Sequence, residues 1–251
     1  MSSSRPPAAT KRPKEITVHE DTRVDNYYWL REKTSPEVIT YLEAENRYTA
    51  QVMKHTEGLQ RRLYDEMVGR IQETDTSAPV RYGDYLYYTR TEEGKQYTIH
   101  CRRRGSMDAE EQILVDLNRI VEEEKLEYLS MGFIKVSPDH RLLAYSLDRD
   151  GYENFTIHFK NLETGEHLPD RIVGAAYSAE WGNDCRTLYY STQDETKRSD
   201  KLHRHVLGSP PAEDELLYHE EDKLFSLGLS KTRDKSILLM GLTSMETTEF
   251  H

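Results

Sequence analysis

Three turns of one kind recur along the chain, each running into a short apolar stretch. Ser137-Pro138-Asp139-His140 leads into RLLAYS (Arg141–Ser146), and Gly182-Asn183-Asp184-Cys185 leads into RTLYYS (Arg186–Ser191). Lys231-Thr232-Arg233-Asp234-Lys235 leads into SILLMG (Ser236–Gly241). The turn aspartates Asp139, Asp184 and Asp234 lie 45 and 50 positions apart. A unit of about 40–50 residues made of short strands cannot bury its apolar face alone, and its repetition is the signature of a β-propeller. Such a ring usually serves as a scaffold or filter, so any chemistry has to be sought elsewhere.

The rest of the strand pattern agrees. Asp84–Arg90 and Gln96–Arg102 flank the Glu92-Glu93-Gly94-Lys95 turn as a hairpin. Further strands are predicted at Gln112–Asp116, Phe133–Val136, Asn154–Lys160, Ala176–Trp181, Lys201–Leu207, Glu215–Tyr218, Lys223–Leu229 and Ser236–Leu242. Tyr, Thr, Phe and Ile dominate these runs, as a half-buried pleated surface favours. At this spacing the region from residue 77 to 251 provides about three to four blades, fewer than a closed ring generally contains.

Ahead of the strands the period is helical. Residues 1–15 are rich in Ser, Pro, Ala and Lys/Arg and read as a flexible arm. Residues 16–76 read as a helical leader. Ser35-Pro36-Glu37 is a start signal, combining a capping hydroxyl, a proline suited to the first turn and an acid at the positive end of the dipole. Val38, Tyr41, Leu42, Tyr48 and Val52 then follow at helical spacing. Gly58 interrupts, and Leu59, Leu63, Met67 and Ile71 recur every four residues as the stripe of a second helix.

Charge narrows the partners. With 34 Lys and Arg against 45 Asp and Glu, the formal net charge is −11. That excess of carboxylates argues against a nucleic-acid partner, which needs clustered cations. The aromatic runs Tyr85, Tyr87, Tyr88, Tyr189 and Tyr190 are therefore expected to pack between blades and not to stack on bases. Tyr27, Tyr28 and Trp29 are likewise expected to be buried within the molecule. Cys101 and Cys185 stand alone without Cys-x-x-Cys spacing, the N-terminus has no apolar signal core, and no apolar run reaches membrane-spanning length. These features point to a cytoplasmic protein.

No catalytic, cofactor-binding or metal-ligating residue is identified. An α/β-hydrolase nucleophile needs Gly-x-Ser-x-Gly at its sharp turn, and the motif is absent; Ser106 and Ser209 each follow a glycine but lack the pair. His203-x-His205 puts two imidazoles on one strand face, within reach of His219 or Glu220, but no third ligand has the right spacing. Asp148-Arg149-Asp150-Gly151 with Glu153 resembles part of a calcium loop, yet a tight turn between strands accounts for the same residues.

DNYYWLR (Asp25–Arg31), YLEAENRY (Tyr41–Tyr48), SAPVRYGDYLYYTR (Ser77–Arg90), GKQY (Gly94–Tyr97), VSPDHRLLAYS (Val136–Ser146), NLETGEHLPD (Asn161–Asp170) and RHVLG (Arg204–Gly208) together carry a resemblance. They resemble the N-terminal part of the prolyl oligopeptidase family of serine peptidases, within it most closely the oligopeptidase B group. The resemblance runs from about residue 10 to the end. It implies a mainly β fold in which an α-helical leader precedes part of a seven-bladed propeller. It further implies that the leader packs on an α/β-hydrolase domain, that this domain carries the Ser, Asp and His triad, and that no counterpart of it lies in this chain. Short peptides cut after Arg or Lys would be the substrates of the whole enzyme, with no cofactor. Lys197–Lys201 departs from the family pattern, where a proline-bearing turn is expected. An alternative reading is a stand-alone, non-catalytic propeller that binds a peptide or protein partner.

Overall fold

The computed structural model describes residues 5–251, so the first four residues of the expected arm lie outside the described residues. The chain divides into two compact units, one ending at Gln72 and one running from Glu73 to His251.

The first unit opens with a hairpin that the sequence pattern does not announce. Strands β1 (Lys14–Val18) and β2 (Asp21–Asp25) pair antiparallel around His19-Glu20, whose φ values of 51° and 66° give both central residues the left-handed twist such a tight turn needs. The arm expected through residue 15 is thus shorter. The indole Nε1 of Trp29 donates to the Thr10 carbonyl at 2.9 Å, and the Arg12 guanidinium lies 4.8 Å from the Trp29 ring centroid while pairing with Glu37 at 2.5 Å. Trp29 and Tyr28 are only half-buried, and Tyr27 is exposed.

Helix α1 (Pro36–Met53) starts at the proline, as expected, but Ser35 makes no side-chain cap. A single 3₁₀ turn, Lys54–Thr56, separates it from α2 (Glu57–Val68), so the break precedes Gly58, which sits inside the second helix. Only Val38 is buried in the two helices. Leu59, Leu63 and Met67 are exposed along one stripe, and Ile71 continues it beyond the helix end.

The second unit is a run of blades. The first is β3 (Val80–Tyr82), β4 (Tyr85–Arg90), β5 (Ile99–Arg104) and β6 (Glu111–Asp116), an antiparallel meander in chain order. Helix α3 (Leu117–Glu124) follows, capped by the Asp116 carboxylate accepting from the amides of Asn118 and Arg119 and closed by Lys125 in the left-handed region. The second blade contains β7 (Ser130–Val136), β8 (Leu142–Asp148), β9 (Phe155–Asn161) and the first half of β10 (His167–Trp181). Strand β10 changes partners at Ala175, which pairs with Phe155 on one side and Thr192 on the other. Its second half is the inner strand of the third blade, completed by β11 (Thr187–Gln193), β12 (Ser199–Val206) and β13 (Glu215–His219). The fourth blade has three strands, β14 (Ser226–Lys231), β15 (Leu238–Thr243) and β16 (Thr248–Phe250). The expectation of three to four blades holds.

The core lies between blades, as the pleat dictates. On β8, Leu143, Tyr145 and Leu147 face the first blade and pack with Leu114, Val115 and Leu162. Ala144, on the other face, joins Phe155, Phe159, Trp181 and Leu188 between the second and third blades. Leu202, Leu227, Met240 and Leu242 fill the next gap. Side chains alternate across each strand, so every blade offers apolar surface to both neighbours.

Candidate functional site: the inner cavity of the blades

The three repeated turns share one construction. Asp139 Oδ1 accepts from the Arg141 amide at 3.1 Å, Asp184 Oδ1 from Arg186 at 3.0 Å, and Asp234 Oδ1 from Ser236 at 3.1 Å. Each carboxylate also takes a hydroxyl, from Ser137, Thr187 or Thr232. The residue after each aspartate, His140, Cys185 or Lys235, has φ near +60°. Hydrogen bonds hold all three acids below the usual carboxylate range. Burial opposes this at Asp139, where Ser137 and the Arg141 amide prevail; the Thr187 hydroxyl leads at Asp184; the Thr232 hydroxyl brings Asp234 to about 2.

The second-blade turn also reaches across to the first blade. His140 sits among Tyr82, Tyr85 and Tyr87 with ring centroids 4.6, 5.3 and 6.0 Å away. Its Nδ1 lies 2.7 Å from the Tyr87 hydroxyl, and Arg102, itself buried, donates to its carbonyl at 2.7 Å. Gly83, at φ +57°, lies against the imidazole, and a Cβ there would come within 2.5 Å of Nε2. Burial, then the Arg102 charge, lowers the His140 pKa.

Beside this wedge the inner strands enclose a cavity of about 560 Å³. Val80, Tyr82, Ile134, Val136 and Trp181 supply apolar wall, and Arg81, Lys135, Lys231 and Lys235 supply cations against one carboxylate, Glu180. The Trp181 indole donates to the Lys135 carbonyl at 3.0 Å, and Lys135 forms an ion pair with Glu180. Lys231 donates to Asn183 Oδ1 at 2.7 Å. Burial pulls the Lys231 ammonium below its usual value; Glu180 counters this, and Lys235 and Lys135 add to it. Lys231 and Lys235 flank the third repeated turn, but the sequence does not mark any of these residues as sharing a cavity, because nothing local shows where the inner strands converge. A weak signal is the equivalent placing of Lys135 and Glu180, each four residues before its turn aspartate.

The residues singled out by sequence are spent elsewhere. His205 is fully buried, with Nδ1 2.7 Å from Asp214 Oδ1 and Nε2 3.2 Å from Asp170 Oδ1, so neither ring nitrogen is free for a metal. His203 stacks on Tyr190 and meets the Thr192 hydroxyl at 3.1 Å, while His219 faces Asp200 at 3.3 Å and Glu220 accepts from Tyr218 at 2.9 Å. Among the described residues no group of three or more His, Cys, Asp or Glu is gathered as for a metal ion. Asp148 Oδ1 accepts from the amides of Asp150 and Gly151 and Oδ2 from Glu153, the wiring of a turn. Ser209 donates to the Val206 carbonyl at 2.7 Å, and Ser106 accepts from the Asp108 amide at 3.3 Å. Burial pushes the Cys101 thiol up to about 11, which removes it as a nucleophile. The 194–198 turn closes without proline through Lys197 at φ 69°, and Arg198 ties it to the carbonyls of Glu220, Asp222 and Phe225.

Antiparallel blades of three or four strands, two of them joined by a strand that leaves one for the next, with a turn of one construction in three of them, define a propeller domain. The description "Prolyl oligopeptidase, N-terminal beta-propeller domain" matches residues 6–251, and the chain belongs to that family. Protease 2 of Moraxella lacunata is 37% identical over 98% of this chain, and Dipeptidyl aminopeptidase BI of Pseudoxanthomonas mexicana is 38% identical over the same share. The chain spans 36% of the length of each. Oligopeptidase B from Leishmania major superposes with a TM-score of 0.89 at 34% identity, covering 99% of this chain and 37% of that one. Among the described residues no helix is long and apolar enough to cross a membrane.

Proposed function

We propose that the chain serves as the leader and propeller segment of a cytoplasmic serine oligopeptidase of the oligopeptidase B kind. The blades stand over the peptidase site and admit short peptides while keeping folded proteins out. The complete enzyme hydrolyses peptides after Arg or Lys. The observation that carries this reading is the end-to-end likeness to oligopeptidase B, which in the Trypanosoma brucei protein is described with covalently bound antipain. The chemistry is acyl transfer: serine attack assisted by histidine, with backbone amides holding the oxyanion. In this reading its residues belong to the α/β-hydrolase part of the complete enzyme, in keeping with a chain that spans only about a third of the relatives' length.

The exposed stripe of Leu59, Leu63, Met67 and Ile71 supports a second element, that the leader helices pack on that hydrolase domain. Residues 16–76 are the leader and 77–251 the blades. The test is to assay the purified 251-residue chain alone and mixed with a separately produced hydrolase segment of the Moraxella lacunata relative. The chain alone is expected to give no turnover of short Arg- or Lys-containing peptides. The mixture is expected to cleave them and to spare a folded protein. Serine-directed labelling of the lone chain, or a mixture that never associates, would overturn the reading and leave a stand-alone binding propeller.

A further inference from the structure

We propose that the inner cavity is a subsite for the carboxylate end of a short peptide. That the ligand is a peptide rests on the function proposed above; that it carries a carboxylate rests on the cavity itself. Of the four cationic side chains lining it, Lys135 alone is neutralised, by Glu180. Among the described residues the Lys231 ammonium has only the neutral Asn183 oxygen as hydrogen-bond acceptor, and the Arg81 guanidinium only the Gly105 carbonyl at 3.0 Å. The Lys235 ammonium has no hydrogen-bond or ion-pair partner among the described residues, and the residue is exposed.

The acids nearest in sequence do not serve them as acceptors. Asp139, Asp184 and Asp234 are turned into their own turns, each taking a backbone amide and a hydroxyl. Lys231 is thus partly withdrawn from water near Glu180 and two other ammonium groups, and since Glu180 is shared with Lys135, three ammonium groups face one carboxylate, an imbalance that a second anion relieves. The cationic face is unusual in a chain whose formal charge is −11. Next to it lie Trp181 and Tyr82, which offer an apolar wall to the last side chain of a peptide. About 560 Å³ falls within the range of about 300–1,000 Å³ typical of small-ligand sites, so a few residues fit.

The experiment is calorimetric titration of the 251-residue chain with N-acetyl-Gly-Phe as free acid and as amide. The acid is expected to bind at least about tenfold more tightly than the amide. A Lys231→Gln/Lys235→Gln double variant, which removes both charges but keeps polar side chains, is expected to melt at an unchanged temperature and to lose that preference. Lys223→Gln, an exposed change outside the cavity lining, is expected to keep it. Equal binding of acid and amide, or a folded double variant that still prefers the acid, would overturn the proposal. Failure of the reconstituted peptidase with this preference intact would instead fault the functional reading alone.

Discussion

The two units handle their apolar residues in opposite ways. In the blades, Leu143, Ala144, Ile157 and Leu188 are wholly buried, each sealed between two sheets. In the leader, thirty helical residues of α1 and α2 bury only Val38 and leave a stripe from Leu59 to Ile71 in the open. Helices of this length draw most of their stability from packing an apolar face, so the blades supply their own core whereas the leader's stripe calls for a surface outside its unit. The difference separates a part that supplies its own core from a part whose exposed stripe fits the packing on a hydrolase domain proposed above.

Core truncation separates the units most sharply. Phe159→Ala removes a buried ring packed 5.9 Å from Trp181 and is expected to cost about 3–5 kcal/mol of blade stability. Leu63→Ala in α2 is expected to stay within about 0.5 kcal/mol, as for other exposed positions. Denaturant unfolding of both variants checks the pair, and a large loss at Leu63 would break the contrast.

Within the blades, Gly83→Ala meets both a left-handed φ and the His140 ring, and is expected to cost about 1–3 kcal/mol. Gly94→Ala has a similar φ of +74° but open space around it, so only the backbone cost, about 1 kcal/mol, remains. Equal losses at the two sites would mean that His140 is no wedge.

Acid should also single out the blades. Burial lowers the pKa of His100, His140, His158, His167 and His203, and His158, with Arg149 and Arg171 adding to burial, falls to about 4. A histidine held below its unfolded value of about 6.5 leaves stability intact above that pH. Below it the unfolded chain takes up protons that the folded chain refuses, so stability falls as pH drops from 6.5 toward 4. The melting temperature is expected to fall over that window, and less steeply in His158→Gln. A flat profile would contradict the burial of these rings. Among the blade substitutions a small effect is also expected at the turns, where Asp184→Ala loses one set of local hydrogen bonds and about 1 kcal/mol by thermal melting.

The sequence discloses what local chemistry controls. The turn aspartates bond the amide two residues on, so Asp139, Asp184 and Asp234 stand out as a repeat in the sequence itself. The β1–β2 hairpin is hidden because His19-Glu20 makes its turn without the Asn or Gly that normally announces one. Strand β10 is only half legible because its bend at Gly174-Ala175 splits one long strand between two blades, and the Leu168–Val173 half alternates too weakly to be seen. Helix α3 does leave a signal, the capping Asp116 before an apolar pair, but it is short and set among strands that mask it. The cavity leaves no signal of that kind. Arg81, Lys135, Lys231 and Lys235 meet only because separate blades converge, a relation that no local period records.

Hydrogen exchange of the 251-residue chain, followed by mass spectrometry, tests the contrast between the units most directly. Amides of β8, β9 and β11 are expected to exchange slowly, on the scale of global unfolding, while those of α2 exchange with little protection. Equal slow exchange in α2 and in the blade strands would show that the leader is stabilised within this chain, and would contradict its role as the face that seeks another domain.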